Sequence, residues 1–507
     1  MKTLLNMKKI FILSISCLVL ALSGCKTGLD AELFGSLNPT LFPSTAAEYE
    51  LYMMEVYVPF SSKWPYDDGG QTKFHFFGLE EGHIQLFDAP TDIMAVFTDW
   101  GDGGPLWESK SRGNFAPMVS QWRDRSHFEK VRFVTGATKI IDDLEKATVF
   151  QNEAKKNQLI GEVKMARAYA MYFMLHLYGP VPVILDPAKI GDPVAEADLT
   201  RPSREVYVNA IATDLRFAAD NLPKDAAQYG RFNKGLALTT LMRLYLNEKN
   251  FTKAESVGRE IATLGYSLVA DYASLFKVAT EKNNETIYAI SCTDASQGRG
   301  SDGNFNAYAY YTRPNDYPGR SGWAWNSPFL ASWEFYDSFD PTDKRRALIK
   351  GSYQGTWGIR DRNNDLKGAV IDKYPVETSG TFQGNDIVIA RYADVMLMLA
   401  EAINENNNGP TSEAIALVDA VRDRAGLPGL SAGDKASKQA FNNAILKERG
   451  WELYFEGVRK FDLQRHGKWP TAVQVVSGKT NVSPYLLPIP QYALNDSKGA
   501  LKQNPGY

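Results

Sequence analysis

Apolar residues recur at helical spacing through the middle and the C-terminal third of the chain. From Asn233 to Asn247, the residues Ala237, Leu241, Leu244 and Tyr245 fall at i, i+4, i+7 and i+8, which is one face of a helix. A short polar break, Asn247 to Asn250, leads into a second helix with Phe251, Ala254, Val257, Ile261 and Leu264 on its inner face. Glu153 to Tyr178 pairs in the same way with Ser203 to Leu222, across a Gly179-Pro180 stop and a longer loop. Arg391 to Asn404 turns Tyr392, Val395, Met396, Leu399 and Ile403 toward Ile415, Val418 and Val421 of a helix from Ser412 to Ala425. Two strand-like pieces, Thr286 to Ser291 and Asp386 to Ala390, add minor sheet.

Helix pairs of roughly 34 residues, with small residues at the crossing and an aromatic opening the second helix, suggest tetratricopeptide-type units. A packed bundle without true repeats is the alternative. Both make the fold mainly α, with the helix pairs as scaffold. Two stretches break the pattern. Ser61 to Arg125 and Ser291 to Pro328 have no clear period and are rich in Gly, Asp, Asn and aromatics. Long irregular segments in a compact chain are usually functional or disordered, and this aromatic content argues against disorder.

The N-terminus reads as an export signal. Lys2, Lys8 and Lys9 precede an apolar run, Ile10 to Leu22, too short to span a ~30 Å hydrocarbon core. The run closes in Leu22-Ser23-Gly24-Cys25, which resembles the bacterial lipoprotein box. That resemblance implies that Cys25 becomes the acylated, palmitate-bearing mature N-terminus, and two or more acyl chains make a stable anchor. Lys26 stands where an acidic residue would signal inner-membrane retention, so a lipid-anchored outer-membrane protein facing outward is expected. Of three cysteines, Cys17 leaves with the signal and Cys25 is acylated, so Cys292 has no disulfide partner. With 56 basic and 59 acidic residues, net −3, nothing is basic enough to follow a phosphate backbone.

Several blocks together resemble the SusD/RagB family of outer-membrane nutrient-binding lipoproteins. They run in order: Arg167-Ala168-Tyr169 to Tyr178-Gly179-Pro180-Val181-Pro182; Arg231-Phe232-Asn233-Lys234; Asp340 to Arg346; Lys373-Tyr374; and Arg391-Tyr392-Ala393-Asp394-Val395. Glu448 to Arg459, Leu487-Pro488-Ile489-Pro490 and Gln503 to Tyr507 follow. The resemblance implies a signal peptide over 1–24, a tether over 25–44 and an N-terminal region over 45–270 with the first loop-rich insert. A C-terminal region, 271–507, would carry the second insert and the closing helices. It also implies non-catalytic capture of oligosaccharide at the cell surface and delivery to a SusC-like TonB-dependent porin. A peptide-binding member of the family, a surface glycoside hydrolase and a pure assembly scaffold are the competing readings.

Ligand residues form no portable motif and must be argued from chemistry. Trp64, Trp100, Trp107 and Trp122 lie in the first irregular stretch, Trp323 and Trp325 in the second, and none between Arg123 and Gly322. A flat indole suits the C–H face of a sugar ring, and carboxylates, amides and guanidinium groups fix its hydroxyls. Asp67, Asp68, Asp99 and Asp102 stand beside the first set; Tyr308, Tyr311, Arg320 and Asn326 stand near the second. Trp100 or Trp107 with Trp323 or Trp325 is the expected platform, although any single Trp is more often a packing residue.

Other signals carry less. Glu448, Glu452 and Glu456 form an i, i+4, i+8 stripe, which cannot by itself flank a cleft as acid and nucleophile. Arg–Glu pairing that ties helices together is expected instead. Gly298-Arg299-Gly300-Ser301-Asp302-Gly303 copies a dinucleotide-binding pattern with no helix after it. Asp361, Asn363 and Asp365 have calcium-loop spacing, but Leu366 holds the position that needs Gly, so a turn is expected and a structural calcium is the minority alternative. The five histidines show no zinc spacing, His176 reads as core, and Cys292 has no evident base. No catalytic residue, cofactor or metal is expected.

Overall fold

The computed structural model describes residues 42–62, 75–78, 81–97, 105–123, 126–294, 304–319, 329–378, 382–479 and 483–507. Two compact units are present, Met1–Tyr49 and Glu50–Tyr507. Within the first, Thr45 and Glu48 cap each other: Thr45 Oγ1 accepts from Glu48 N at 3.2 Å, and Glu48 Oε2 accepts from Thr45 N at 3.0 Å.

The second unit is mainly helical. Five helices follow one another: α1 (Lys130–Lys146), α2 (Glu153–Tyr178), α3 (Arg204–Asn221), α4 (Lys234–Asn247) and α5 (Phe251–Ala262). After the second irregular stretch come α6 (Tyr392–Asn406), α7 (Ser412–Arg424), α8 (Lys438–Leu453) and α9 (Arg459–Arg465). Each of α1 to α6 packs on the next in order, and α6 packs on both α7 and α8. The pairs expected from periodicity, α2 with α3, α4 with α5 and α6 with α7, are all in contact.

The helix starts are written locally. Asn152 accepts from Ala154 N at 2.9 Å, Asn233 from Leu236 N at 2.8 Å and Asn250 from Lys253 N at 3.2 Å. Each satisfies a backbone donor that the first turn leaves open. Gly179 ends α2 with φ +78, a conformation that side chains strain to adopt. Gly258 on α5 has a different role. A Cβ there would fall 2.6 Å from Met242 Cε and 3.0 Å from Leu399 Cδ1, so α4, α5 and α6 approach closely because it is glycine.

Two details depart from a one-faced reading. From Leu159 to Tyr178, α2 is buried on all sides apart from Lys164, because α1 and α3 flank it. Tyr245, Phe251 and Leu264 are only half-buried. The Tyr245 ring is instead covered by the Lys253 ammonium, 5.3 Å from its centroid.

The strands come in small sets. β1 (Thr286–Ile290) pairs antiparallel with β7 (Ile387–Arg391), so the two strand-like sequence pieces are partners. β2 (Leu330–Ala331), β6 (Ala369–Ile371) and β3 (Ile349–Lys350) form a three-stranded sheet in that order. β4 (Tyr353–Gly355) and β5 (Gly358–Arg360) make a hairpin.

A charged network locks these parts together. Arg345 Nη1 reaches Glu448 at 2.7 Å and Glu452 at 2.8 Å, and Arg345 Nη2 reaches Asp343 at 2.7 Å. Arg391 binds Glu285 and Glu456 at 2.9 Å each and also pairs with Glu452. Arg424 joins Glu285 and Glu452, and Lys373 reaches Glu456 at 2.6 Å. Burial pushes the Glu452 carboxyl up, but Arg424, Arg391 and Arg345 together outweigh it and hold the group well below the usual carboxylate range.

Candidate functional site

The two irregular stretches meet, although more than half of the helical scaffold separates them in sequence. Ser61 Oγ donates to Asn304 Oδ1 at 2.6 Å across 243 residues of chain, and Ser62 N donates to the same oxygen at 3.2 Å. Ser62 Oγ donates to Phe305 O at 2.8 Å, and Tyr308 O–H donates to Phe77 O at 3.1 Å. Farther along, Ala95 N donates to Leu330 O at 2.9 Å, Met94 bridges Ala331, and the rings of Phe97 and Phe329 lie 4.9 Å apart. Ser332 closes this seam: its N–H donates to Ile93 O at 3.0 Å and its Oγ to Asp92 O at 2.6 Å.

These contacts occur at particular points. Ser62 precedes segment 63–74 and Asn304 follows segment 295–303; Phe97 precedes 98–104 and Phe329 follows 320–328. The described residues therefore fasten the ends of four segments in two pairs. Trp64, Asp67, Asp68, Trp100, Asp99, Asp102, Arg320, Trp323, Trp325 and Asn326 all lie in those segments, outside the described residues, as does Cys25.

Three expected ligand residues are corrected. Trp107, on the helix Pro105–Ser111, is 6% exposed, and Tyr308 and Tyr311 are 2% and 5% exposed. Tyr308 is walled by Phe455 at 5.1 Å, Tyr374 at 5.7 Å and His83 at 6.3 Å, and burial raises its phenol well above the usual value. No ring face remains for a sugar; Tyr308 bonds Phe77 O within the first seam and Tyr311 packs on Phe329 at 6.1 Å in the second. Trp122, by contrast, is 60% exposed.

Beside the Ser61–Asn304 contact opens a cleft of about 480 Å³. Tyr57 and Tyr229 supply aromatic surface, Phe60 and Tyr288 lie almost wholly buried in the wall, and Gln228, Arg231, Ser291 and Asn304 supply polar groups. Arg231 is fixed by Glu162 at 2.8 Å, whose carboxylate also accepts from Tyr57 O–H at 2.5 Å. Tyr57 stacks on Phe232 with centroids 4.2 Å apart. Tyr229 donates to Asp386 at 2.5 Å while the Lys282 ammonium sits 4.4 Å above its ring. A second cleft of about 320 Å³ lies on the other side of Tyr229, Gly230 and Arg231, walled by Tyr266, Lys282 and Glu281. Burial pushes the Glu281 carboxyl up to about 7. An aromatic floor with planar amide, guanidinium and hydroxyl groups at its edge can hold a neutral polyhydroxylated ligand. The sequence signal for this cleft is slight: only Arg231 stands in a segment that resembles the family, and none of the cleft's tyrosines lies in an irregular stretch.

Other chemistry finds no footing in the described residues. Glu448 and Glu452 are fully enclosed and bound to guanidinium groups, so the stripe presents no acid and nucleophile to a cleft. Arg449 and Arg465, near the stripe in sequence, pair elsewhere, with Asp462 at 2.9 Å and Glu401 at 2.6 Å. The Asp361 carboxylate is occupied by its own turn, accepting from Asn363 N at 2.8 Å and Asn364 Nδ2 at 2.9 Å. Cys292 is 8% exposed and burial pushes its thiol up, away from a nucleophilic thiolate. His176 is 2% exposed and burial holds it neutral.

Comparison with known proteins follows the same outline. Residues 349–507 match the model of the SusD family, and residues 125–246 match a family described as starch-binding, associating with the outer membrane. SusD-like protein P2 of Formosa agariphila is 26% identical over 97% of this chain and 98% of its own. A SusD homolog from Bacteroides thetaiotaomicron superposes with a TM-score of 0.75 at 21% identity, covering 92% of this chain and 98% of that one. Surface glycan-binding protein A from the same organism, solved in complex with laminarihexaose, superposes with a TM-score of 0.74 at 20% identity, covering 92% of this chain and 100% of that one.

Proposed function

Because the chain belongs to the SusD/RagB family, we propose that it is a non-catalytic receptor that binds oligosaccharide at the cell surface and passes it to a SusC-like TonB-dependent transporter. In this reading Cys25 carries the lipid anchor in the outer membrane. The observation that carries the proposal is the double seam. Trp100 follows Phe97 by three residues and Trp325 precedes Phe329 by four. Phe97 and Phe329, with ring centroids 4.9 Å apart, join the roots of the two segments that carry these indoles. The laminarihexaose complex of the glycan-binding relative and the starch-binding description of the second matching family support a sugar as cargo.

Calorimetry against a panel of oligosaccharides that includes laminarihexaose tests the reading. Binding is expected in the micromolar to millimolar range, on the order of a shallow aromatic platform. Trp100→Ala combined with Trp323→Ala is expected to abolish it without moving the thermal midpoint. Flat glycan titrations beside heat from oligopeptides would make the cargo a peptide. Sustained release of reducing ends, lost on replacing one carboxylate, would make the protein a hydrolase. Labelled palmitate incorporated by the wild type and not by Cys25→Ser tests the anchor.

A further inference from the structure

The hairpin of β4 and β5 carries an indole that packing does not account for. Trp357, at its tip, is 75% exposed, and Ile359 beside it is 61% exposed. Cross-strand pairing places Gln354 opposite Ile359 on the outer side and Tyr353 opposite Arg360 on the inner. A side chain of that size is normally covered, and leaving it in water forfeits its burial energy.

The arm beneath it is stiff. Asp316 grips both inner residues, accepting from Arg360 Nε at 2.7 Å and Tyr353 O–H at 2.8 Å. Burial pushes the Asp316 carboxyl up, but Arg360 and Tyr353 overcome it, so the group stays charged. Asp316 also lies so near that a Cβ on Gly355 would fall 2.4 Å from its Oδ2. The Tyr353 ring meets Tyr317 at 4.8 Å, and both pack on the cluster of Ala95, Leu330, Leu366 and Val370. Ala95 and Leu330 are the hydrogen-bonded pair of the second seam, so the hairpin is built on the same footing as the candidate site.

We propose that Trp357 is a further saccharide contact, stacking on a sugar ring while the polar groups of Gln354 and Arg360 bond its hydroxyls. The proposal rests on the carbohydrate reading above and extends it to a residue outside both irregular stretches. The surroundings favour a sugar over a lipid surface or an apolar protein face. Arg360 lies 5.9 Å from the Trp357 centroid and pairs with Asp316 at 2.7 Å and Asp365 at 3.9 Å, so charges of both signs stand beside the indole. Planar donors around an indole suit hydroxyl-bearing rings.

Native gels cast with laminarin or starch, together with fluorescence titration, test it on the full mature chain. For any polysaccharide that retards the wild type, Trp357→Ala is expected to weaken binding by about three- to tenfold with an unchanged thermal midpoint. Trp357→Tyr is expected to restore most of the retention. Trp357→Ala retarded like the wild type would overturn the proposal and leave the carbohydrate reading standing. Loss of attachment to outer-membrane vesicles with retention intact would assign the tip to another partner and also overturn it. A wild type retarded by no glycan would remove the carbohydrate reading itself, and this contact with it.

Discussion

Arg345 and Glu448, 103 residues apart in the chain, meet at 2.7 Å with neither side chain reached by solvent. Arg345 also binds Asp343 and Glu452, so three enclosed carboxylates share this guanidinium, although Glu452 keeps Arg391 and Arg424 and Glu448 keeps Arg422. Removing Arg345 leaves Asp343 without its guanidinium partner and away from water. Arg345→Met is expected to destabilise the fold by about 3–5 kcal/mol, read as a lower midpoint in urea unfolding. Arg422, 15% exposed and donating to Glu448 Oε2 at 3.0 Å and to Pro428 O at 2.9 Å, should matter less, with Arg422→Ala costing about 1 kcal/mol.

That network marks where sequence reading succeeds and where it stops. The Glu448–Glu452 pair is legible because i, i+4 is local geometry on α8, whereas Glu456 falls off the expected stripe because the helix ends at Leu453 and Phe455 turns with φ +59. The partners of these carboxylates, Arg345, Arg391 and Lys373, stand in segments that resemble the family, but they are distant in sequence and no local spacing announces which carboxylates they meet. Helix ends are legible for the same local reason, through Asn152, Asn233 and Asn250. The aromatic set divides along the same line. Trp107 and Tyr308 look like platform residues by composition, yet Tyr308 is enclosed through a partner 231 residues away, Phe77. Trp357 escapes notice because a two-residue turn between short strands leaves no periodic trace.

The enclosed aromatics give a second prediction. Tyr308→Ala should cost about 3–5 kcal/mol as a large-to-small core change. Tyr308→Phe should cost about 1 kcal/mol, the hydrogen bond to Phe77 O alone. In both variants glycan affinity per folded molecule is expected to hold. A selective loss of affinity at full stability would return Tyr308 to the binding surface.

Lys460 supplies a pH dependence. Its ammonium is fully enclosed against the faces of Phe115 at 4.5 Å, Tyr485 at 4.4 Å and Trp469 at 5.5 Å, with no carboxylate partner among the described residues. Burial lowers it to about 7. In the unfolded chain a lysine titrates near ~10.4, so between these values the unfolded state binds the extra proton. Stability attributable to this residue therefore rises as pH climbs from about 7 toward about 10 and is flat below. Lys460→Met should remove that rise and stabilise the protein at neutral pH. Urea midpoints at pH 6.5, 8 and 9.5 compare the two slopes. Equal slopes would show that the ring faces hold the charge as well as water does.

The last prediction separates the seam from the fold it sits on. Asn304 Oδ1 accepts from Ser61 Oγ and Ser62 N, joining the start of the first irregular stretch to the interior of the second. Two neutral hydrogen bonds at a half-buried site are worth about 1–2 kcal/mol together, a small part of the stability of a chain this size. Their effect on where the two segments start is larger, because both bonds converge on one side-chain oxygen, beside the Ser62 Oγ bond to Phe305 O. Asn304→Ala should therefore change the urea midpoint little while weakening glycan binding several-fold, since a loosened root costs ordering entropy on every binding event. Asn304→Asp keeps an oxygen facing both donors and should bind nearly as the wild type does. Calorimetry on the three proteins decides the matter. If Asn304→Ala binds with wild-type affinity, the first seam holds no part of the receptor in place, and the site belongs to the Phe97–Phe329 seam alone.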